Sequence, residues 1–314
     1  MKLYGMLAVT GSFLMSMEPH HNPHDLFEDT PIIFPAFAQQ DSALSIARSY
    51  DGSQILVGSG HKAPAIKQYD VTTQKKVSTC TLKFDYKPKI STLAQTTDLH
   101  HPWLVAAHIL FDTSIIDMRT GKEEMHFPCG SNISQLSLTD CFLHAYENSG
   151  RLYLWDMRCA KPGNNDYPGY TQLKHACAHG AYYHENGGVL IGYSWESSKT
   201  KMYKSLVRYW NDEDEHVEQK LAGTILKLCL SRSAGLAAVS TSTFEESVSL
   251  SQEKSATSKK NQNRIVLYKT KNMTERQSLE INHPANSIVF APKLAYIAAA
   301  LDDGTVCLWK KKKE

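Results

Sequence analysis

The sequence predicts an all-β repeat fold, and three observations carry that prediction. Short apolar runs recur along the chain with the alternation or β-branched content of strands. Tight-turn sequences rich in Gly, Asp and Asn separate them, with Gly supplying the positive φ such turns need. Six of the runs share one ending, an aromatic or aliphatic residue followed by a polar one. No stretch has the spacing of a convincing amphipathic helix.

The strand runs, in order, include SALSIARS (42–49), QILVGSG (54–60), VLIGYSW (189–195), TILKLCLS (224–231), GLAAVST (235–241), NSIVFAP (286–292) and AYIAAAL (295–301). Tyr50-Asp51-Gly52, Asn186-Gly187-Gly188 and Asp302-Asp303-Gly304 lie between such runs. The shared endings are Tyr69-Asp70, Ile116-Asp117, Trp155-Asp156, Trp210-Asn211, Tyr268-Lys269 and Trp309-Lys310, at intervals of 47, 39, 55, 58 and 41 residues. The two long intervals each hold a polar insertion, Ser194–Tyr203 and Thr241–Asn263. The second is rich in Ser, Lys, Glu and Gln and is expected to be a flexible loop, because it cannot bury enough apolar area to fold alone. Both insertions fall between the second and third strands of a unit, where a loop tolerates them.

These endings and turns resemble the WD40 repeat, whose units run to about 40–45 residues. The best local matches are GRLYLWDMR (Gly150–Arg158) and DDGTVCLWK (Asp302–Lys310). The resemblance implies a β-propeller and a structural hydrogen-bond network of His, Asp, Trp and Ser within each unit. The last unit matches three of those positions, His283, Asp303 and Trp309, while the Ser position falls among Ala298–Ala300. Trp155 and Asp156 hold the corresponding ending of the third unit. Only two of the six units keep Trp-Asp or Trp-Asn in full, so loosened packing is expected within the same topology.

Six units predict six blades, with seven as the alternative if Leu3–Met17 supplies inner strands of another. A blade cannot bury its faces alone, so neighbours must stack around a closed ring. The last unit offers only three strands. The apolar run Pro31–Phe37 lacks a nearby hairpin partner and precedes the first full unit. An outermost strand donated by this N-terminal run completes the ring, and Pro35 suits an edge position. A single propeller domain is therefore expected over residues 31–310, with a basic tail at 311–314.

The N-terminus has two readings. Lys2 and the apolar run Leu3–Met15 resemble a short export signal over residues 1–16, and the run LAVTGS equally resembles an inner strand. Under the first reading the protein is exported, to a periplasm or by secretion; under the second it is cytoplasmic. A flexible His/Pro-rich leader is expected over residues 17–30.

Lys plus Arg number 34 against 32 for Asp plus Glu, a net of +2, which points to neither nucleic acid nor an anionic membrane. No run approaches the roughly 18 apolar residues of a membrane span. The seven cysteines follow no zinc or CxxC spacing, and their odd, low count argues against a disulfide scaffold. Cys141, Cys229 and Cys307 lie in apolar runs and read as core residues.

Candidate chemistry is sparse. His20, His21, His24 and Asp25 lack the spacing of a built metal site, and His175, His179, His184 and Glu185 would scatter over both faces of a strand. No G-x-S-x-G elbow or phosphate-binding glycine loop occurs. Ser198 and Lys201 make an S-x-x-K only in a Ser/Lys-rich loop, and Asp212–Glu215 is a run of like charge. No catalytic, metal or cofactor site is expected. Trp103, Tyr182, Tyr183 and Trp195, near loop ends, fit interface anchors or interblade packing equally well. The expected function is a scaffold, monomeric outside complexes, that binds a protein or peptide on one face. The alternative is an exported enzyme or small-ligand binder with its site in the central channel. Carboxylates or histidines converging on that channel would favour the alternative; apolar and uncharged lining would favour the scaffold.

Overall fold

The computed structural model describes residues 25–37, 43–49, 51–59, 65–82, 89–96, 101–109, 112–129, 133–138, 142–147, 151–158, 169–172, 179–183, 188–196, 203–210, 216–231, 235–245 and 260–313. They form six four-stranded antiparallel sheets, each one blade of a β-propeller. Blade 1 holds β2 (Ala43–Arg48), β3 (Gln54–Ser59), β4 (Ala65–Asp70) and β5 (Lys76–Thr81). Blade 2 holds β6 (Ile90–Gln95), β7 (Leu104–Ile109), β8 (Asp112–Asp117) and β9 (Lys122–Pro128); blade 3 holds β10 (Ile133–Leu138), β11 (Phe142–Glu147), β12 (Arg151–Asp156) and β13 (Gly169–Gln172). Blade 4 holds β14 (His179–Tyr183), β15 (Gly188–Glu196), β16 (Tyr203–Trp210) and β17 (His216–Ala222). Blade 5 holds β18 (Thr224–Leu230), β19 (Leu236–Glu245), β20 (Lys260–Lys269) and β21 (Thr274–Ile281). Blade 6 is built from β22 (Ala285–Phe290), β23 (Tyr296–Leu301), β24 (Thr305–Lys310) and, outermost, β1 (Ile32–Pro35). Among the described residues the sole helical turn is a short 3-10 turn at Pro292–Leu294.

Every shared ending lies at the end of a third strand: β4, β8, β12, β16, β20 and β24. The repeat read from the sequence therefore sets the phase of each blade. The apolar clusters sit between blades rather than inside them. One joins Ala47, Leu56 and Ile66 of blade 1 to Ile90, Val105 and Ile116 of blade 2. Another joins Leu190 and Val207 of blade 4 to Ile225, Val239 and Val266 of blade 5. The cluster of Ile55, Val57 and Tyr69 with Phe34, Ala298 and Leu308 packs blade 1 against blade 6, so the ring closes. Small residues line the second strands, Ala106, Ala237 and Ala298–Ala300 among them, where neighbouring sheets approach. A strand that packs on both faces has little room for large side chains.

The N-terminal strand closes the ring as its apolar content requires. Ile32 faces Leu308, and Pro35 faces Thr305 at the sheet edge, where its missing N–H costs no ladder bond. The turn that follows is held by blade 1: Lys67 Nζ and the Tyr69 hydroxyl both donate to the Ala36 carbonyl, at 2.7 and 3.0 Å.

Three expected boundaries are corrected. Residues 25–30 are not a free leader: Phe27 is fully buried and bridges Lys311, and the Lys312 amide donates to the Leu26 carbonyl. The basic tail is correspondingly bound as far as Lys312, whose ammonium lies 3.6 Å from both Asp25 and Asp29. The loop expected over Thr241–Asn263 does not have those bounds, because β19 and β20 pair out to Glu245 and Lys260; residues 246–259 lie outside the described residues. The alternating Ser/Thr residues 240–243 favour continued pairing there. Residues 1–24, which carry the export and seventh-blade readings and His20, His21 and His24, lie outside the described residues. Among the described residues no helix is long and apolar enough to cross a membrane.

Candidate functional site

Two regions of the ring carry exposed or enclosed chemistry: the rim of blades 2 and 3, and the central channel. The rim is built by two Asp-Met-Arg sequences that follow the third strands, Asp117–Arg119 and Asp156–Arg158. Each Asp accepts the amide N–H and the guanidinium of the Arg two residues on. For Asp117 the closest guanidinium contact is 2.6 Å, and for Asp156 it is also 2.6 Å. These bonds from the arginine hold both carboxyls below the ordinary carboxylate range, that of Asp156 at about 2.

The fixed guanidinium then meets an aromatic ring from the first-to-second-strand side of its own blade. Arg119 lies 3.9 Å from the Trp103 ring centroid, and His101 meets the same indole edge-on at 5.6 Å. The Met118 amide donates to the Trp103 carbonyl and ties the two turns together. In blade 3, Arg158 lies 5.5 Å from the Phe142 ring. First-to-second and third-to-fourth turns share one end of an antiparallel blade, and blades 2 and 3 are neighbours through the bond from Thr92 Oγ1 to the Ile133 carbonyl. The two clamped arginines therefore lie on the same face of neighbouring blades, their side chains 59% and 63% exposed.

The central channel is a cavity of about 150 Å³ lined by the inner strands β2, β6, β10, β18 and β22. Neither carboxylates nor histidines are among its described lining residues. Its polar groups are hydroxyls and amides, together with Arg48 and Lys227. Lys227 reaches from blade 5 past the inner strand of blade 4 and donates to the Ser134 carbonyl of blade 3 at 2.7 Å. Burial holds its ammonium down at about 8. Cys229, which the sequence places in the core, also lines this channel, and burial pushes its thiol up to about 11.

One further cluster has the composition of a nucleophilic pair. Cys129 Sγ lies 3.2 Å from Thr113 Oγ1 and 3.6 Å from His108 Nδ1. Burial pushes this thiol up to about 11, so it is held protonated, the opposite of an activated cysteine.

The residues of the expected structural network come together only in part. His283 Nε2 and Asp303 Oδ2 stand 3.5 Å apart, and Asp303 Oδ1 also accepts from the Thr305 amide and hydroxyl. Trp309 is fully buried between blades 5 and 6, and its indole nitrogen has no hydrogen-bond partner among the described residues. Alanines 298–300 pair opposite residues 306–308, with no hydroxyl to offer it. Trp155 is likewise buried, stacked on Tyr153 at 5.7 Å and tilted against Phe127 at 5.3 Å, and its nitrogen also has no described partner. Asp156 serves the Arg158 clamp.

Of the four aromatic anchor candidates, Trp103 belongs to the rim. Tyr182 and Tyr183 lie on β14 and Trp195 on β15, and their side chains are outside those described. The arginine clamps were missed from the sequence. The repeated Asp-Met-Arg was the available signal.

No family model matches this sequence, and no curated protein matches it. Solved structures do. A chain of the mitotic checkpoint complex superposes with a TM-score of 0.62 at 11% identity, covering 91% of this chain and 97% of that one. The RRP9 WD40 repeats superpose with a TM-score of 0.61 at 12% identity, covering 91% and 100%. Hydrazine synthase of Kuenenia stuttgartiensis aligns with a TM-score of 0.54 at 12% identity, over 82% of this chain and 73% of that one. At these identities the likeness is one of fold, and with the six closed sheets and the repeat endings it shows the chain to be a WD40-like β-propeller.

Proposed function

We propose that this chain is a non-catalytic scaffold that binds a protein partner on the rim of blades 2 and 3. The observation that carries the reading is the pair of clamped arginines. Each guanidinium is fixed by a carboxylate, exposed at its outer face, and in Arg119 stacked on Trp103. An exposed arginine normally loses rotamer freedom on binding; here that freedom is already restricted before a partner arrives. Arg and Trp are also the residue types that dominate binding energy at protein interfaces.

The test is affinity capture from the native source with quantitative mass spectrometry, comparing wild type, an Arg119→Glu/Arg158→Glu double variant and Glu280→Lys on the outer strand β21. Partners retained by Glu280→Lys and lost from the double variant are the expected result. Identical captured sets for all three chains would overturn the assignment of this rim.

A further inference from the structure

We infer that the seam between blades 5 and 6 is a peptide-recognition site, occupied in cis by residues 25–29, and that it takes in trans an acidic peptide centred on a phenylalanine. The seam lies on other blades than the arginine rim. Its first element is Gln277, a polar residue on the apolar face of β21. That strand alternates, and Gln277 is buried in phase with Leu279 and Ile281. A carboxamide buried in an apolar row must find hydrogen bonds there. It finds them on the main chain of a distant segment. Its Oε1 accepts the Leu26 and Phe27 amides at 3.1 and 3.0 Å, and its Nε2 donates to the Phe27 carbonyl at 2.8 Å. Bonds of this kind hold a peptide by its backbone and leave the choice of side chain to the surroundings.

The surroundings select phenylalanine and acid. Phe27 is fully buried in the cluster that joins Leu279 of blade 5 to Ile297 and Trp309 of blade 6. A buried aromatic anchor carries much of the energy of such contacts. Lys312 Nζ lies 3.6 Å from the carboxylates of both Asp25 and Asp29, two positions to either side of the anchor. The seated sequence Asp-Leu-Phe-Glu-Asp therefore meets a backbone reader, an aromatic slot and a cation. It is also separable from the ring. Bends at Asp29 and Thr30 divide it from β1, and Lys311 and Lys312 lie past the end of β24. Lifting residues 25–29 breaks the bonds from the Glu28 amide to the Lys310 carbonyl and from the Lys312 amide to the Leu26 carbonyl. The β1–β24 pairing, from Ile32 with Leu308 to Pro35 with Thr305, is left whole, so the ring stays closed while the slot is open.

The test uses the full chain and a fluorescein-labelled synthetic peptide of residues 25–30, read by fluorescence anisotropy and by melting temperature. In Phe27→Ala the cis segment loses its anchor and the slot is vacated. This variant should bind the peptide saturably, and roughly tenfold or more tightly than the wild type, whose tethered segment competes at an effective concentration on the order of millimolar. Binding should also raise the variant's melting temperature. The same peptide carrying Phe27→Ala should not bind. Adding Gln277→Ala to the receptor should weaken binding roughly tenfold or more, as loss of its hydrogen bonds implies. Phe27→Leu, which keeps part of the packing in the slot, is the receptor where Phe27→Ala does not fold. A peptide carrying Asp25→Asn and Asp29→Asn should bind more weakly, and equal binding would strike the carboxylates from the recognised chemistry. No saturable binding to either receptor into the millimolar range overturns the inference, as does equal binding to the wild type or to the Gln277→Ala receptor.

Discussion

The Gln277 carboxamide is bonded to both faces of the peptide at Phe27: its Oε1 accepts the Leu26 and Phe27 amides at 3.1 and 3.0 Å, and its Nε2 donates to the Phe27 carbonyl at 2.8 Å. Phe27 is fully buried between blades 5 and 6. The chain's first described segment is thus anchored on blade 5 before β1 completes blade 6.

Truncation should therefore act in two steps. Deletion through Asp29 removes Phe27 and is expected to lower the melting temperature clearly, and Phe27→Ala alone should cost about 3–5 kcal/mol in denaturant titration. Deletion through Ala38 also strips β1 and exposes the β24 edge, so aggregation is expected in light scattering. Equal stability of the full chain and the shorter truncation would contradict the anchor.

Gly58 and Gly192 occupy matching places on the second strands of blades 1 and 4. A Cβ at Gly58 would meet Ile90 Cγ2 of the next blade at 2.9 Å, and one at Gly192 would meet Ile225 Cδ1 at 2.9 Å. Each glycine lets the following inner strand seat its isoleucine. Gly192→Ala is expected to destabilise by about 1–3 kcal/mol through overpacking, and trimming the neighbour with Ile225→Val, which removes the Cδ1 that the new methyl would meet, should relieve part of that cost. Additive losses in the double variant would argue that the two residues do not meet.

Acid should weaken the rim clamps. The Asp117 and Asp156 carboxyls lie below their unfolded value near 4 because arginine bonds favour the charged form. Their contribution is complete above pH of about 4 and is lost as pH falls through the folded value, about 2 for Asp156. Melting curves taken from neutral pH to strong acid should show a shallower acid-side decline in an Asp117→Asn/Asp156→Asn variant. An identical slope would remove the clamps from the account of acid stability.

The thiols should react slowly. Cys129 and Cys229 are pushed up to about 11, and Cys307 to about 12, chiefly by burial. Iodoacetamide at pH near 8, followed by peptide mass spectrometry, should label these three sites in the folded protein far more slowly than in denaturant. Rapid labelling of Cys129 would revive the nucleophilic reading of its His108 neighbour.

The sequence by itself determined the all-β class, the blade phase and the closing strand. Those features are written in local patterns: a polar residue after each third-strand aromatic or aliphatic, glycine turns, and an apolar run around Pro35 with no neighbour to pair with. Tertiary structure alone decided the anchor and the channel. The segment before β1 reads as a linker because its composition is polar, yet Phe27 meets Gln277 across 250 positions, a contact no local pattern encodes. Lys227 is a single charge in the alternating run TILKLCL, and its direction depends on the register shift beside it. A one-residue shift turns a strand's side chains to the opposite face, and only the pairing of β18 with β19 fixes which face that is.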